Sequence, residues 1–329
     1  MTSVDPKIAP PPFRRLRIER IEDLSDAVRD AHLRTIQLSA HPLFGSLAFA
    51  EEDGVGCTSG YVGGRVSLQG PLSCDGITIG LGLRLAPGCW QWLSEAETRN
   101  VAIFNEADEH DSVYGPGSLY AVVALSAERL EAEAAKYDLV LDRKTLGGTR
   151  LHSRKLAASS TERLAERFER IHSGEDSGTG VVAELLSVFI EHLSRFPIDH
   201  DRRVSRNMHA RIVQKARAYI HEHLVEPIAL DAIASAAGTS RRTLYRAFAD
   251  ILDDSPQTYV RRLRLHRIRE NLASDTELAC TITVIANQWG ISELGRLAGW
   301  YRGLFGERPS ETLSRANRTK SAQSPASLH

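Results

Sequence analysis

Arg242, Tyr245, Arg246 and Ala249 recur at a spacing that places them on one helical face, opposite Leu244, Phe248 and Ile251. Arginine is the side chain best shaped to donate two parallel hydrogen bonds to a guanine edge. Hydroxyls and further guanidinium groups donate to phosphate. Any solvated helix can carry a basic face, so the meaning of this one rests on the elements that hold it. Those elements are written just upstream. Ala234 is small enough to let two helices approach, Gly238 can take the left-handed conformation that ends the first helix, and Ser240 is suited to cap the second.

The same grammar recurs. Ala286, Gly290 and Ser292 repeat Ala234, Gly238 and Ser240 at an offset of 52, and Leu297, Tyr301 and Pro309 repeat Leu244, Phe248 and Pro256 at 53. One residue has been added at the turn, after which the register holds. Two helix-turn-helix patterns in tandem are far harder to obtain by accident than one.

Charge is distributed accordingly. The 329 residues carry 41 Lys and Arg against 42 Asp and Glu, a net charge of −1 that by itself argues mildly against nucleic acid. From residue 205 onward there are 18 basic and 12 acidic residues, net +6, leaving −7 on residues 1–204. The neutrality is a cancellation, and the basic third carries the repeated pattern.

The stretches IALDAIASAAGTSRRTLYRAF and ITVIANQWGISELGRLAGWYRGLFGERPSETL, joined by a helix over 257–272, resemble the DNA-binding domain of the AraC/XylS bacterial transcription regulators. The resemblance covers about residues 208–313. It implies that the connecting helix holds two reader helices about one DNA turn apart, for two successive major grooves. It implies base contacts at Arg242 and Arg246, phosphate contacts at Arg241, Thr243 and Tyr245, and further contacts at Ser292, Arg296 and Arg302. The chain departs from the family pattern at Leu294, Gly295, Gly299 and Asp253. The second reader is therefore expected to position the protein on the backbone more than to discriminate bases.

The N-terminal part has another texture. LRTIQL, GSLAFA, GITIGLGL, RNVAIF and LYAVVAL, separated by Gly, Pro, Asp and Ser, predict short strands of a sandwich or barrel. Helices are predicted at 22–32, 126–136, 161–171 and 181–193, the last two either covering the barrel or pairing with a second subunit. This block is similar, less specifically, to the cupin-like barrel through which many such regulators bind an effector or dimerise. Trp90 and Trp92, two apart on a predicted strand, would share a face, and with Phe104 and Tyr120 they are the candidate ligand contacts; core packing is the alternative use. A cupin enzyme would need a His-x-His pair with further inward His and Glu ligands, whereas Glu106, Asp108, Glu109, His110 and Asp111 form only an acidic, loop-like cluster. GYVGGR at 60–65 lacks the strand-turn-helix context of a phosphate cradle. No catalytic residue, cofactor or metal is expected.

Cys57, Cys74, Cys89 and Cys280 have neither CxxC nor zinc spacing and are expected as small reduced hydrophobes. With no charged-then-apolar signal pattern at residues 1–15 and no apolar stretch of membrane-spanning length, a cytoplasmic location is the expectation. The expected architecture is α+β. Residues 1–16 are a Pro-rich leader, 17–195 a cupin-like β-barrel with flanking helices, 196–207 a linker, 208–313 an all-α domain with two helix-turn-helix units, and 314–329 a disordered tail. Expected partners are double-stranded DNA, a small-molecule effector, RNA polymerase and a second copy in a homodimer. A ligand-independent dimeric regulator and a metal-dependent cupin enzyme with a DNA-binding tail are the rival readings.

Overall fold

The computed structural model describes the whole chain except residues 1–12, 29–30, 41–42, 73–75, 93, 106–107, 142–145, 147–148, 153, 196–207, 275–280 and 324–329. The expected linker at 196–207 therefore lies outside the described residues, as do Glu106, Cys74 and Cys280. The chain forms two compact units, one of Met1–Thr35 with Phe44–Ser205 and one of Ile36–Leu43 with Arg206–His329.

The first unit is built on strands β1 (Arg14–Ile18), β2 (Arg34–Gln37), β3 (Gly45–Glu52), β4 (Val55–Val62), β5 (Val66–Pro71) and β6 (Ile77–Arg84). Next come β7 (Cys89–Gln91), β8 (Ser94–Ala96), β9 (Val101–Phe104), β10 (Glu109–Tyr114), β11 (Ser118–Leu125) and β12 (Arg150–Leu151). They form two sheets: a seven-stranded one in the order β1-β3-β4-β11-β6-β9-β12 and a five-stranded one in the order β2-β5-β10-β7-β8. The strand-rich N-terminal part is thus present as two sheets rather than as one closed barrel.

Alternation along β6 decides what each face does. Ile77, Ile79, Leu81 and Leu83 enter the main core, while Gly80 and Gly82 lie on the other side of the strand and border a cavity. Helices α1 (Ala127–Ala135), α2 (Ala158–Ser173) and α3 (Val181–Arg195) supply the rest of that core. Of the two uses open to α2 and α3, covering the sheet is the one seen: Leu164, Phe168, Leu185 and Phe189 are buried in the same cluster. Arg84 of β6 fixes α2 by a two-pronged pair with Glu162 at 2.6 and 2.7 Å and a third bond to Glu169 at 2.9 Å. Ser126 caps α1 as expected, accepting from the Arg129 N–H at 3.1 Å.

Four expectations are corrected. The described residues of the expected helix at 22–32 form no α-helix: a single 3-10 turn (Ile21–Leu24) gives way to turns, and the Leu33 N–H bonds back to the Ser25 carbonyl at 2.7 Å. Leu24, Ala27 and Ala31 are buried all the same, so the apolar spacing was real but is satisfied by a folded-back loop. The EHDSVY segment is strand β10, paired with β5 and β7, not a loop. β1 starts at Arg14, inside the expected leader, and pairs with β3.

The helical unit contains α4 (Met208–Glu222), α5 (Leu230–Ala236), α6 (Arg241–Leu252), α7 (Pro256–Ser274), α8 (Ile282–Gln288), α9 (Leu294–Phe305) and α10 (Pro309–Gln323). The fourth correction is here, since α10 runs through the first part of the expected tail at 314–329. Residues 36–43, which include the last two residues of β2, also belong to this unit. Gln37 is 2% exposed; its backbone N–H donates to His266 Nε2 at 3.0 Å and its side-chain amide to the Leu304 carbonyl at 2.7 Å. Among the described residues, no helix is long and apolar enough to cross a membrane.

Candidate nucleic-acid interface

α5 ends because Gly238 turns left-handed at φ 65°, which lets Gly238 N–H reach the Ser235 carbonyl at 2.9 Å and Thr239 N–H the Ala234 carbonyl at 2.9 Å. Ser240 then caps α6, accepting from the Thr243 N–H at 3.2 Å. At the far end Asp253, where the family favours Gly, itself adopts φ 54° and closes the helix through its N–H to Ala249 at 3.1 Å. No neighbour lies within 4 Å of a side chain built at Gly238, so Gly238→Ala tests backbone strain alone. It should cost about 1 kcal/mol, since a Cβ at positive φ carries a left-handed penalty of that order, measurable as a lower urea midpoint with unchanged slope.

Leu244, Ala247, Phe248, Ile251 and Leu252 bury one side of α6. Arg242, Tyr245, Arg246 and Ala249 stay exposed, as their spacing predicts. Among the described residues, neither Arg242 nor Arg246 is paired with a carboxylate. Two free guanidinium groups four residues apart can donate to two acceptors one helical turn apart. Arg241 differs: it makes a two-pronged contact with Asp231 that ties α6 to α5, which raises the Arg241 pKa and lowers that of Asp231. Thr243 is half-buried and shares a hydroxyl contact with Ser240 at 3.0 Å.

The second helix pair repeats the turn but not the cap. Thr281 caps α8 through the Val284 N–H at 3.3 Å, and Gly290 turns at φ 67°. A side chain at Gly290 would meet the Arg264 guanidinium at 3.1 Å, and Arg264 is itself held by the carbonyls of Leu224, Glu226 and Gly290. Ser292 does not cap α9. The helix starts a residue later, with Glu293 in the cap position and no side-chain bond, while Ser292 accepts from the Leu294 N–H through its carbonyl at 3.0 Å. The inserted residue that shifts the repeat by one has moved the serine off the cap.

Leu297, Tyr301 and Leu304 bury α9, and its outer face shows Leu294, Gly295, Arg296, Ala298, Gly299 and Arg302. Arg296 is paired with Glu293 at 2.8 Å one turn back. Nothing lies within 4 Å of a Cβ at Gly295, Gly299 or Gly303, so these glycines are not required by packing. Each lowers helix propensity by roughly 1 kcal/mol and leaves the backbone itself as the surface.

α7 carries both pairs. Tyr259 stacks edge-on against Phe248 of α6 at 5.7 Å, while Leu265, Ile268 and Leu272 join Ile285, Ala286, Leu297 and Tyr301 in one cluster. Behind this cluster Arg269, 3% exposed, pairs with Glu307 at 2.5 Å, and Glu307 also accepts from Arg315 at 2.6 and 2.7 Å and from Thr312 at 2.8 Å. A Glu flanked by Gly306 and Arg308 gives no local signal of a buried partner 38 residues earlier.

In the first unit, a cavity lies between the two sheets, bordered by Leu68, Gly80, Trp90, Phe104, His110, Tyr114 and Tyr120 among others. Of the four candidate ligand residues, Trp90, Phe104 and Tyr120 line it. Trp92 does not. β7 stops at Gln91, Trp92 takes φ 51°, and its indole N–H donates to the Glu109 carbonyl at 2.9 Å while its ring leans on Phe104 at 5.0 Å. Cys57 and Cys89 are buried free thiols, and burial pushes Cys57 up to about 12. Among the described residues, no three His, Cys, Asp or Glu side chains are grouped to hold a metal ion.

A capped helix seated on a glycine turn, with its outer face left to unpaired arginines, defines a helix-turn-helix domain. Residues 233–315 match the family model described as "Helix-turn-helix domain". Over these residues the C-terminal part of this chain is similar to helix-turn-helix domains of the AraC/XylS type. It is similar to XylDLEGF operon transcriptional activator 2 of Pseudomonas putida, 38% identical over 104 residues, 32% of this chain and 64% of that one. It is also similar to a probable thc operon regulatory protein of Rhodococcus erythropolis, 32% identical over 31% of each chain. A solved structure of a probable AraC family transcriptional regulator from Rhodopseudomonas palustris is 34% identical over 32% of this chain and 96% of that one, with a TM-score of 0.31. This chain spans less than two thirds of the length of these curated relatives.

Proposed function

We propose that the protein is a sequence-specific DNA-binding transcription regulator in which α6 and α9 are the two readers. The observation that carries this is the outer face of α6: Arg242 and Arg246 are exposed and unpaired among the described residues, on a helix fixed at both ends and along its buried side. Arg242 and Arg246 donate to base edges, Tyr245 and Thr243 to phosphate, and Arg241 to phosphate once it exchanges Asp231 for it. On α9, Arg302 and Arg296 contact the backbone, and Ser292 at the turn joins them. The glycine surface of α9 favours close approach over base readout, so discrimination falls mainly on α6.

The N-terminal unit supplies a cavity for a small-molecule effector, and the protein acts as a cytoplasmic homodimer that presents two helical domains to two half-sites and engages RNA polymerase. No catalytic step is assigned to it: its relatives in the helical part carry regulator names.

The test is selection of bound sequences from random DNA by the full chain at moderate salt. An enriched motif with two blocks about one DNA turn apart is expected. Affinity should fall steeply with salt, by about 10³-fold or more between 50 and 200 mM if roughly six phosphates are neutralised. No enriched motif, or affinity indifferent to salt, would sink the reading.

A further inference from the structure

The cavity between the sheets is chemically lopsided. None of its described lining residues is Lys, Arg, Asp or Glu. Four aromatic rings line it, with Tyr114 and Tyr120 stacked at 5.0 Å and Phe104 tilted against His110 at 5.4 Å. Two of the lining side chains nevertheless bury polar atoms without a partner, Trp90 Nε1 and His110 Nδ1. The other side chains are satisfied: Tyr120 donates to the Ala27 carbonyl at 2.8 Å, and His110 Nε2 is bonded to Ser112 at 2.7 Å. A buried indole N–H or imidazole nitrogen with no protein partner costs about 1–3 kcal/mol unless water or a ligand supplies one.

Size narrows the occupant. The space open to the centre of a water-sized sphere is about 50 Å³. Treated as a sphere and widened by a water radius, that becomes about 200 Å³, comparable with the roughly 150 Å³ that holds a benzene ring in other proteins. Gly80 and Gly82 on β6 create the room. A Cβ at Gly80 would already press on Val122 at 3.2 Å.

We propose that this cavity binds an uncharged single-ring aromatic molecule bearing a hydroxyl group, with Trp90 and His110 as its polar contacts. The ring packs among Trp90, Phe104, Tyr114 and Tyr120. The hydroxyl oxygen accepts from the Trp90 indole N–H. A hydroxyl both donates and accepts, so it suits His110 Nδ1 in either tautomer. A carboxylate is disfavoured because its charge would meet no cation among the described lining residues, at a cost of several kcal/mol. Nor does His110 supply one, since burial lowers its pKa to about 4 and keeps the ring neutral. This inference rests on the reading of the cavity as an effector site and adds the ligand class.

The experiment is thermal unfolding and titration calorimetry of the full chain at neutral pH with three probes: phenol, benzyl alcohol and benzoate. Phenol or benzyl alcohol at millimolar concentration should raise the Tm of the N-terminal unit, and benzoate should not. Trp90→Phe keeps a ring and removes the N–H, so the Kd of the neutral probe should weaken about five- to tenfold. Ala102→Leu fills the cavity from β9 and should abolish the shift; should that variant not fold, Trp90→Phe alone carries the comparison. Benzoate binding as well as phenol would overturn the ligand class. Neutral probes that do not bind, or that bind wild type and Trp90→Phe with equal affinity, would overturn the site. Neither outcome touches the DNA selection described above, which is run without ligand and stands or falls separately.

Discussion

Replacing Glu307 with glutamine should lower the stability of the helical unit by about 3 kcal/mol, the largest effect expected of any single substitution outside the apolar core. Burial by itself would push the Glu307 carboxyl up. Hydrogen bonds from Arg315, Thr312 and Arg269 overcome that and hold it at about 2, against an ordinary 4.5. At about 1.36 kcal/mol per pKa unit the difference is worth about 3 kcal/mol. The amide keeps one acceptor oxygen and presents an NH2 to two guanidinium groups, so Arg269, whose side chain is 4% exposed, loses its carboxylate partner in a buried setting. The direction with pH follows. The folded-state value is the lower one, so the contribution is complete above about 4.5 and disappears as the pH falls from there toward 2. Urea unfolding of the full chain should show the wild type losing stability over that window and Glu307→Gln losing correspondingly less. A neutral-pH loss well under 1 kcal/mol would mean that the network behaves as an exposed ion pair.

The reach of this network also explains what could and could not be anticipated. Caps and turns are local, and so Gly238, Ser240, Gly290 and Ser126 are legible in sequence, as are the apolar strands β6, β9 and β11. Ser292 misled because one inserted residue at a turn moves a cap without altering the surrounding composition. β10 is hidden because its buried residues His110 and Ser112 are polar and bond to each other through His110 Nε2 at 2.7 Å, so the alternation carries no hydropathy signal. β4 is similar. Its buried Ser59 donates to the Tyr120 carbonyl at 2.6 Å and contacts His172 at 3.0 Å, partners 61 and 113 residues away. His172, lowered to about 4 by burial and also bonded to Ser46 at 2.7 Å, is equally unreadable from its helix. The helical stretch of α10 beyond residue 313 is polar throughout and looks like tail; it is held at its start by Arg315 on Glu307. Long-range polar satisfaction, rather than propensity, is the common cause of the differences at β4, β10, His172 and α10.

The second large effect separates the two readers. If α6 discriminates bases, Arg246→Ala removes a two-pronged guanine contact and should cost about 1–3 kcal/mol with the selected site, roughly 5- to 150-fold in Kd. It should cost much less on a site mutated at the contacted base, so the preference at that position relaxes. Arg242→Ala should do the same at a neighbouring position. Arg296 stands differently. It is already paired with Glu293 at 2.8 Å, and the residues around it on α9 are Gly295, Ala298 and Gly299, which bring no donor side chain. Arg296→Ala should therefore weaken all sequences alike, by a small factor, and reduce the salt slope by about one ion without changing the preferred motif. The measurement is binding of each variant to the selected site and to its single-base mutants at two salt concentrations. The discriminating quantity is the ratio between sites, because a folding defect lowers affinity for all of them together. Relaxation at Arg296→Ala as large as at Arg246→Ala would show that the glycine-faced helix reads bases after all, and the division of labour between α6 and α9 would have to be abandoned.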